Sequence, residues 1–270
     1  MFFFKFLILF SLIFSNSFAE EFIINDDFSS KQLNGYDKSH IAKNNQDFKS
    51  YEFIYENNGN IFIRLSSRVG QLSHFNKGQK YIKDRIELGT KDNSLPNSWK
   101  KLKDNTFSWM FDAKIPNNKL KTNAKHITIT QLKTIEKNSQ KKQCHPGMPF
   151  RINYNNTQTW IAVTDGFNIK HDKKYYFENF LTKEWTNFKI EYHFSKNGWV
   201  KVLKNNELIY DYYGNTMFTE YKNCKPKTKL QTFIRIGVYR NVNSKNVKPD
   251  SIDFDNYIVC KGSLKDCKLI

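Results

Sequence analysis

One short stretch, residues 233–240, constrains the fold more than any other part of the chain, because its side chains alternate with a strict period of two. Three aliphatic residues fall on one face of such a strand, namely Ile234, Ile236 and Val238, and the other face carries Arg235, Gly237 and Tyr239. A glycine in the middle of a strand usually marks a bulge or the close approach of another segment. The stretch therefore predicts a strand with a buried aliphatic face. Its other face is either simply solvated or the floor of a ligand groove.

The rest of the chain offers further short strands and no long helix. Segments that alternate or are rich in Thr and Ile, separated by Asn, Gly and Lys turns, lie at 21–28, 51–55, 60–68, 80–89, 107–115, 125–134, 159–164, 185–194, 199–203, 207–213, 231–240 and 251–260. Many short strands of this kind are typical of two packed antiparallel sheets. We therefore predict an all-β fold, a β-jelly roll of the concanavalin-like sandwich type.

The first nineteen residues have the pattern of a secretory signal peptide. An early Lys5 is followed by an apolar run over residues 6–14 and by small residues that end at Ala19. The apolar run is too short for a comfortable membrane span. We expect a signal peptide at 1–19 and a single soluble domain at 20–270, secreted or periplasmic and not bound to a membrane.

The charge of the chain indicates a polyanionic partner. The formal net charge is +17 at pH 7, and such an excess raises the local concentration of polyanions. Nucleic acid, an anionic membrane surface and acidic polysaccharide all fit this charge, but export disfavours nucleic acid. A lysine-rich coding bias is the alternative explanation of the charge. We expect a monomer that binds an acidic polysaccharide.

The chain has four cysteines, Cys144, Cys224, Cys260 and Cys267. An even count in an exported chain predicts disulfides, and four cysteines allow three pairings. Cys260 with Cys267 would close a short C-terminal loop, which leaves Cys144 with Cys224. No Cys-x-x-Cys motif occurs, so a structural zinc site is not expected.

Common catalytic signatures are missing from the sequence. There is no Gly-x-Ser-x-Gly nucleophile motif, no His-Glu-x-x-His zinc motif, no phosphate-binding glycine-rich loop and no Asp-rich calcium loop. The strand with paired carboxylates that a sandwich-fold glucanase uses for hydrolysis is also missing. We therefore predict neither a metal ion nor a cofactor.

Three motifs do stand in a fixed order. An Arg-x-Glu-Leu strand contains Arg85 and Glu87, a Thr- and Ile-rich strand contains Gln131, and a Phe-x-Arg-x-Gly-x-Tyr strand contains Arg235 and Tyr239. In this order they resemble the motifs of jelly-roll polysaccharide lyases, with the heparin lyase I-like and glucuronan lyase-like group nearest and alginate lyases more distant. The resemblance implies an exported lyase that cleaves a uronate-containing acidic polysaccharide by β-elimination.

The resemblance also implies a role for each residue. Arg85 and Gln131 would bind the uronate carboxylate and stabilise the enolate-like transition state. Tyr239 would protonate the leaving oxygen and could also act as the base, with a pKa that nearby cations such as Arg235 lower. Glu87 would hold Arg85 in place.

The base is where this chain departs from the family pattern. Relatives often carry a histidine two residues after the glutamine, and Lys133 occupies that position here. His145 is the histidine candidate for catalysis, and an exposed loop histidine is its alternative interpretation. If its strand is regular, His126 lies on the opposite face from Gln131 and is not a candidate.

Further basic and acidic residues are expected along the groove. The predicted substrate-binding residues are Arg235, Lys133, Glu87, Lys83 and Arg151. Because the usual histidine is replaced by Lys133, the main alternative function is a non-catalytic carbohydrate-binding sandwich that binds acidic polysaccharides. An exported nucleic-acid binder is a third possibility that rests on charge alone.

Overall fold

The computed structural model describes residues 21–37, 41, 49–67, 82–91, 94–116, 126–137, 147–155, 158–164, 172–177, 181–217, 229–242 and 248–270. The predicted signal peptide at 1–19 lies outside these residues, as do Cys144, His145, Cys224 and the side chain of Lys83.

The described part of the chain is almost entirely β-structure. It contains β1 (Glu21–Asp26), β2 (Tyr36–Asp37), β3 (Tyr51–Tyr55), β4 (Ile61–Ser67), β5 (Ile82–Thr90), α1 (Trp99–Leu102), β6 (Thr106–Lys114), β7 (Ile127–Lys137), β8 (Gly147–Tyr154), β9 (Thr159–Thr164), β10 (Asp172–Phe177), β11 (Thr186–His193), β12 (Gly198–Lys204), β13 (Glu207–Gly214), β14 (Lys229–Val242) and β15 (Asp250–Lys261). Among these residues no helix is long and apolar enough to cross a lipid bilayer.

The strands form two antiparallel sheets. Sheet A has the order β13-β12-β11-β6-β15-β4-β3, with β1 also paired to β15, and sheet B has the order β10-β9-β8-β7-β14-β5-β2. Strands far apart in sequence are neighbours in both sheets, as in β14 between β7 and β5. The two packed sheets confirm the predicted all-β jelly-roll sandwich.

The inner faces of the two sheets form one apolar core. The aliphatic residues of β14 that the alternation predicted to be buried are fully so, and Trp109 and Phe111 of β6 meet them from sheet A. Burial of a large apolar side chain stabilises a fold by about 1.5 to 3 kcal/mol. The polar atom of the Trp109 indole is also satisfied, because Nε1 donates a hydrogen bond of 3.1 Å to Thr130 Oγ1 of sheet B.

A buried arginine also joins the two sheets. Arg240 of β14 is fully buried and contacts Asp84 of β5 at 2.8 Å and Asp250 of β15 at 2.7 Å. Its guanidinium also donates to the carbonyl oxygens of Ser67 and Lys248, at 3.0 and 2.7 Å. A buried charge is tolerated only when it is paired and hydrogen-bonded in this way. No pattern in the sequence predicted this role for Arg240.

Three strands were not predicted from the sequence. Strand β8 begins with Gly147 and contains Pro149, and β2 and β10 do not alternate. At the C-terminus the structure confirms the disulfide between Cys260 and Cys267. The pairing of Cys144 with Cys224 stays a prediction.

Candidate active site

The outer face of sheet B gathers the residues of the three motifs. Strand β14 pairs with β7 on one side, where Arg235 is opposite Gln131, and with β5 on the other, where Tyr239 is opposite Arg85. Directly opposed residues in an antiparallel pair lie on the same face of the sheet. The structure therefore places Arg85, Gln131 and Tyr239 on one face of three adjacent strands, although they are far apart in the sequence.

Two buried polar side chains lie at the centre of this face. The Gln131 amide donates a hydrogen bond from Nε2 to Oε1 of Glu87, and the two side chains are 1% and 3% exposed. The second carboxylate oxygen of Glu87 lies 3.8 Å from Nη1 of Arg235. Glu87 was expected to hold Arg85. The contacts described for Glu87 are instead with Gln131 and Arg235. Its charge also raises the pKa of Arg85.

Arg235 was predicted to bind substrate, which stays a prediction, and the structure places it among buried side chains of this face. It is only 3% exposed, its Nη2 donates to Asp37 of β2 at 3.0 Å, and its guanidinium lies 4.5 Å from the centre of the Phe233 ring. Its side chain crosses Gly89 of β5, where an added Cβ would lie 2.8 Å from Arg235 Cγ. Arg235 thus positions neighbouring groups of the sheet instead of facing solvent.

The environment of Tyr239 favours the protonated phenol. Burial raises its pKa above the usual 10.0 and the Glu87 carboxylate acts in the same direction, whereas Arg85 and Arg151 oppose them. Cations do lower this pKa as expected, although they are Arg85 and Arg151 and not Arg235, but desolvation outweighs them and the net shift is upward. A phenol that keeps its proton at neutral pH is suited to donating it.

Arg85 is partly buried beside Tyr239. Burial lowers the pKa of its guanidinium, the charge of Glu87 raises it, and the charge of Arg235 lowers it. An arginine nevertheless stays charged at neutral pH. Arg85 therefore brings a desolvated positive charge next to the phenol.

The glycine in β14 is explained by the neighbouring strand. Gly237 has φ of +152°, and a Cβ there would lie 2.2 Å from the carbonyl oxygen of Ile86 and 2.7 Å from Cα of Glu87. The pairing of β14 with β7 also shifts register between Ile236 and Tyr239. The position that a Cβ of residue 237 would take is thus occupied by the backbone of β5, which is the close approach that the glycine predicted.

A bulge in β7 changes the face on which its side chains lie. The pairing with β8 shifts between Thr128 and Thr130, so that Ile129 and Thr130 both face the core and the alternation reverses there. His126 therefore lies on the same face as Gln131, and its ring is 5.4 Å from that of Trp160. The expectation that His126 lies on the opposite face is wrong, because it assumed a regular strand.

The same face continues across the other strands of sheet B. Arg151 of β8 lies opposite Gln131, and its Nη1 donates to the carbonyl of Met148 at 3.3 Å. Lys133 of β7 lies opposite Phe233 and is partly buried. The remaining predicted site residues, Lys83 and His145, are those whose side chains the structure does not describe.

Among the described residues no group of three or more His, Cys, Asp or Glu side chains could hold a metal ion. A depression of about 540 Å³ lies on the outer face of sheet A, between Met110, Lys189 and Ile258, on the far side of the sandwich from Tyr239. The candidate site is defined here by its side chains.

The fold matches that of a class of known structures, jelly-roll polysaccharide lyases among them. The endo-β-1,4-glucuronan lyase of the fungus Trichoderma reesei superposes with a TM-score of 0.55 at 12% identity, over 90% of this chain and 96% of the lyase. The family 7 alginate lyase A1-II′ gives 0.54 at 14% identity, over 82% and 86%.

The same fold also occurs in a protein that is not named as a lyase. A chain of botulinum neurotoxin type C, whose cell entry depends on interaction with two ganglioside molecules, gives a TM-score of 0.55 at 11% identity. It covers 94% of this chain and 50% of the toxin chain. No protein-family model and no curated protein sequence matches this chain. At identities this low, the superpositions establish the shared fold and nothing finer. The resemblance to heparin lyase I stays a prediction.

Proposed function

We propose that this chain is an exported polysaccharide lyase that cleaves a uronate-containing acidic polysaccharide by β-elimination. The observation that carries the proposal is the placement of Arg85, Gln131 and Tyr239 on one face of three adjacent strands. The glucuronan and alginate lyases that share the fold support the choice of a uronate polymer.

The residue types fit the electronic demands of the reaction. The C5 proton of a uronate is weakly acidic while the adjacent carboxylate keeps its full negative charge. Arg85 offers a planar pair of donors to that carboxylate. One N–H of the Gln131 amide donates to Glu87, and the second N–H is left to donate to the substrate. These donors stabilise the enolate-like transition state that forms when the proton leaves.

Tyr239 then completes the elimination. A base removes the C5 proton, the electron pair of that bond forms the C4–C5 double bond, and the C4–O bond breaks. The phenol of Tyr239, held protonated by burial, gives its proton to the departing oxygen. The resulting phenolate recovers a proton from solvent before the next turnover.

Three side chains are candidates for the base. Lys133 and His126 lie on the same face as Gln131, and His145 lies outside the described residues. Alanine variants of the three residues distinguish the base from groups that only bind substrate. Loss of the base removes one limb of the pH–rate profile, whereas loss of a binding group raises KM.

Incubation of the mature protein with glucuronan, alginate, heparin and heparan sulfate tests the proposal. We expect at least one polyuronate to give the ultraviolet absorbance of an unsaturated product. If the protein binds these polymers measurably but forms no product from any one of the four, the lyase assignment is contradicted.

The second candidate function is non-catalytic binding of an acidic carbohydrate. Lys133 at the position where relatives often carry a histidine favours it, as does the use of the same fold by a neurotoxin that interacts with gangliosides. It predicts saturable binding of the same polymers with no product.

A further inference from the structure

A row of side chains runs across sheet B from Tyr239 to the far edge strand. Its members are direct cross-strand partners, in the order Tyr239, Thr128, Asn153, Trp160 and Tyr176. The row begins at the proposed proton donor and ends on β10. A long polymer bound at Tyr239 and running across the strands would pass over all of it.

The outer end of the row is aromatic although it faces outward. Trp160 lies between Thr159 and Ile161, which are fully buried, yet Trp160 itself is partly exposed on the other face of β9. Tyr176 is 51% exposed, and the two rings are 5.9 Å apart. His126 contacts the Trp160 ring edge-on from the other side. These three rings therefore form a continuous aromatic strip on the groove face.

Cations border this strip. In the neighbouring row Arg151 is opposite Ala162, and Ala162 is opposite Lys174, whose side chain is exposed. Within the row, Asn153 is fully buried, and its Nδ2 has no hydrogen-bond partner among the described residues. Aromatic rings suit the apolar C–H face of a pyranose, while cations and an amide donor suit its carboxylate and hydroxyl groups.

The distance from Tyr239 decides what the strip can do. Strands in a sheet are about 4.8 Å apart, so Trp160 lies about 14 Å and Tyr176 about 19 Å from the strand of Tyr239. Groups at that distance cannot take part in the elimination. They can bind only sugar units several positions away from the cleaved bond.

We propose that Trp160 and Tyr176 form a remote stacking subsite for the polysaccharide, with Arg151 and Lys174 facing the carboxylates of the stacked units. The inference rests on the proposed function for the identity of the polymer. It adds that affinity depends on chain length, because only long chains reach both Tyr239 and the strip.

Binding measurements on a double variant test the subsite separately from catalysis. Trp160→Ala/Tyr176→Ala is compared with its parent in a Tyr239→Phe background, by titration calorimetry with long-chain glucuronan and alginate and with their disaccharides. We expect a roughly tenfold loss of affinity for the long chains and less than a twofold change for the disaccharides. In the active background KM for the polymer rises by a similar factor and kcat changes little.

Two controls separate stacking from a folding defect. Tyr213→Ala removes a 66% exposed tyrosine from the outer face of sheet A and should leave affinity unchanged. Trp160→Phe/Tyr176→Phe keeps the rings and should restore most of the affinity.

The outcomes distinguish this inference from the lyase assignment. If product forms but the double variant binds long chains as tightly as its parent, the subsite is wrong and the lyase stands. If no polyuronate is cleaved but the affinity difference persists, the subsite stands and the lyase falls. Tighter binding of a single-stranded oligonucleotide, lost in the double variant, would overturn the sugar assignment in favour of base stacking.

Discussion

The two outer faces of the sandwich differ in how their charged side chains are paired. On sheet A, Arg64 pairs with Asp253 at 2.6 Å and Lys114 with Glu56 at 2.5 Å. The Asp112 carboxylate on that face accepts hydrogen bonds of 2.6 Å from both Asn187 and Asn256, and Asp255 accepts one from Asn60. Each of these charges has its partner on a neighbouring strand or in the turn between β3 and β4.

On sheet B the described cations outnumber the carboxylates. Its outer face carries Arg85, Lys133, Arg151, Lys174 and Arg235, while the carboxylates described there, Asp37 and Glu87, both contact Arg235. A surface whose charges pair internally is already neutral, whereas an excess of one sign attracts an external counter-charge. The difference between the faces makes sheet B the face on which we expect a polyanion to bind, and the net charge of the whole chain does not distinguish the two faces.

The largest expected effect is on turnover at sheet B. Tyr239→Phe removes the phenol proton while keeping the ring, so kcat should fall roughly 100- to 10,000-fold with little change in polysaccharide affinity. Product formation and calorimetric binding measure the two quantities. Tyr213→Phe on sheet A is the matched control and should be fully active; comparable activity in Tyr239→Phe would remove Tyr239 from the mechanism.

A smaller effect, on the free energy of unfolding, is expected where β14 meets β5. Gly237→Ala forces a Cβ into the backbone of Ile86 and Glu87, which should cost about 2 to 3 kcal/mol. Denaturant unfolding measures it. Gly59 also has a positive φ, of +88°, but its Cβ would meet nothing within 4 Å, so Gly59→Ala should cost only about 1 kcal/mol. Equal costs for the two variants would show that the close approach of β5 is unimportant.

The charge pairs of sheet A should affect stability and not binding. Arg64→Met leaves Asp253 buried without its partner at neutral pH, which should cost about 1 to 2 kcal/mol. Burial raises the pKa of the Asp253 carboxyl and Arg64 lowers it. In the variant the lowering by Arg64 is lost, so the pKa of Asp253 lies further above the usual 3.8. The loss of stability is therefore present above that raised pKa and disappears as Asp253 takes up a proton at acid pH.

Unfolding curves at neutral and acid pH check this prediction, with polysaccharide affinity measured alongside. A change in affinity comparable to that of a sheet B variant would break the distinction between the two faces.

The smallest expected signal is the titration of Tyr239 itself. Because burial raises its pKa above 10.0, it should contribute almost no phenolate absorbance below about pH 9. The difference in ultraviolet titration between the protein and Tyr239→Phe should stay flat over that range. A phenolate component at mildly alkaline pH would indicate that the cations outweigh burial and that Tyr239 could itself act as a base.

Local alternation predicted the central strands well. The inward faces of β14 and of β5 from Asp84 onward were correct, because apolar residues at every second position have one way to be buried. The order of strands in the sheet was not accessible from the pattern, since pairing of β14 with β5 joins segments more than 140 residues apart. The three motifs became a candidate site only through the family resemblance.

The surroundings of two individual residues could not be predicted from the sequence, for physical reasons. The burial of Arg235 depends on Asp37 of β2, a two-residue strand that carries no recognisable pattern. The position of His126 depends on a bulge, for which two consecutive core-facing residues, Ile129 and Thr130, were the only signal. The sequence showed this as an imperfect alternation, which by itself does not say where the extra residue lies.

That bulge has a consequence for how the chain is compared with others. The inward and outward alternation of side chains reverses within one strand. Odd-numbered residues face the core up to Ile129, and even-numbered residues face it from Thr130 onward. A residue-by-residue match to a relative with a regular strand would align His126 with a side chain that points into the core. Allowing a one-residue gap there would compare groove residues with groove residues, and would recover similarity that an ungapped alignment of this strand hides.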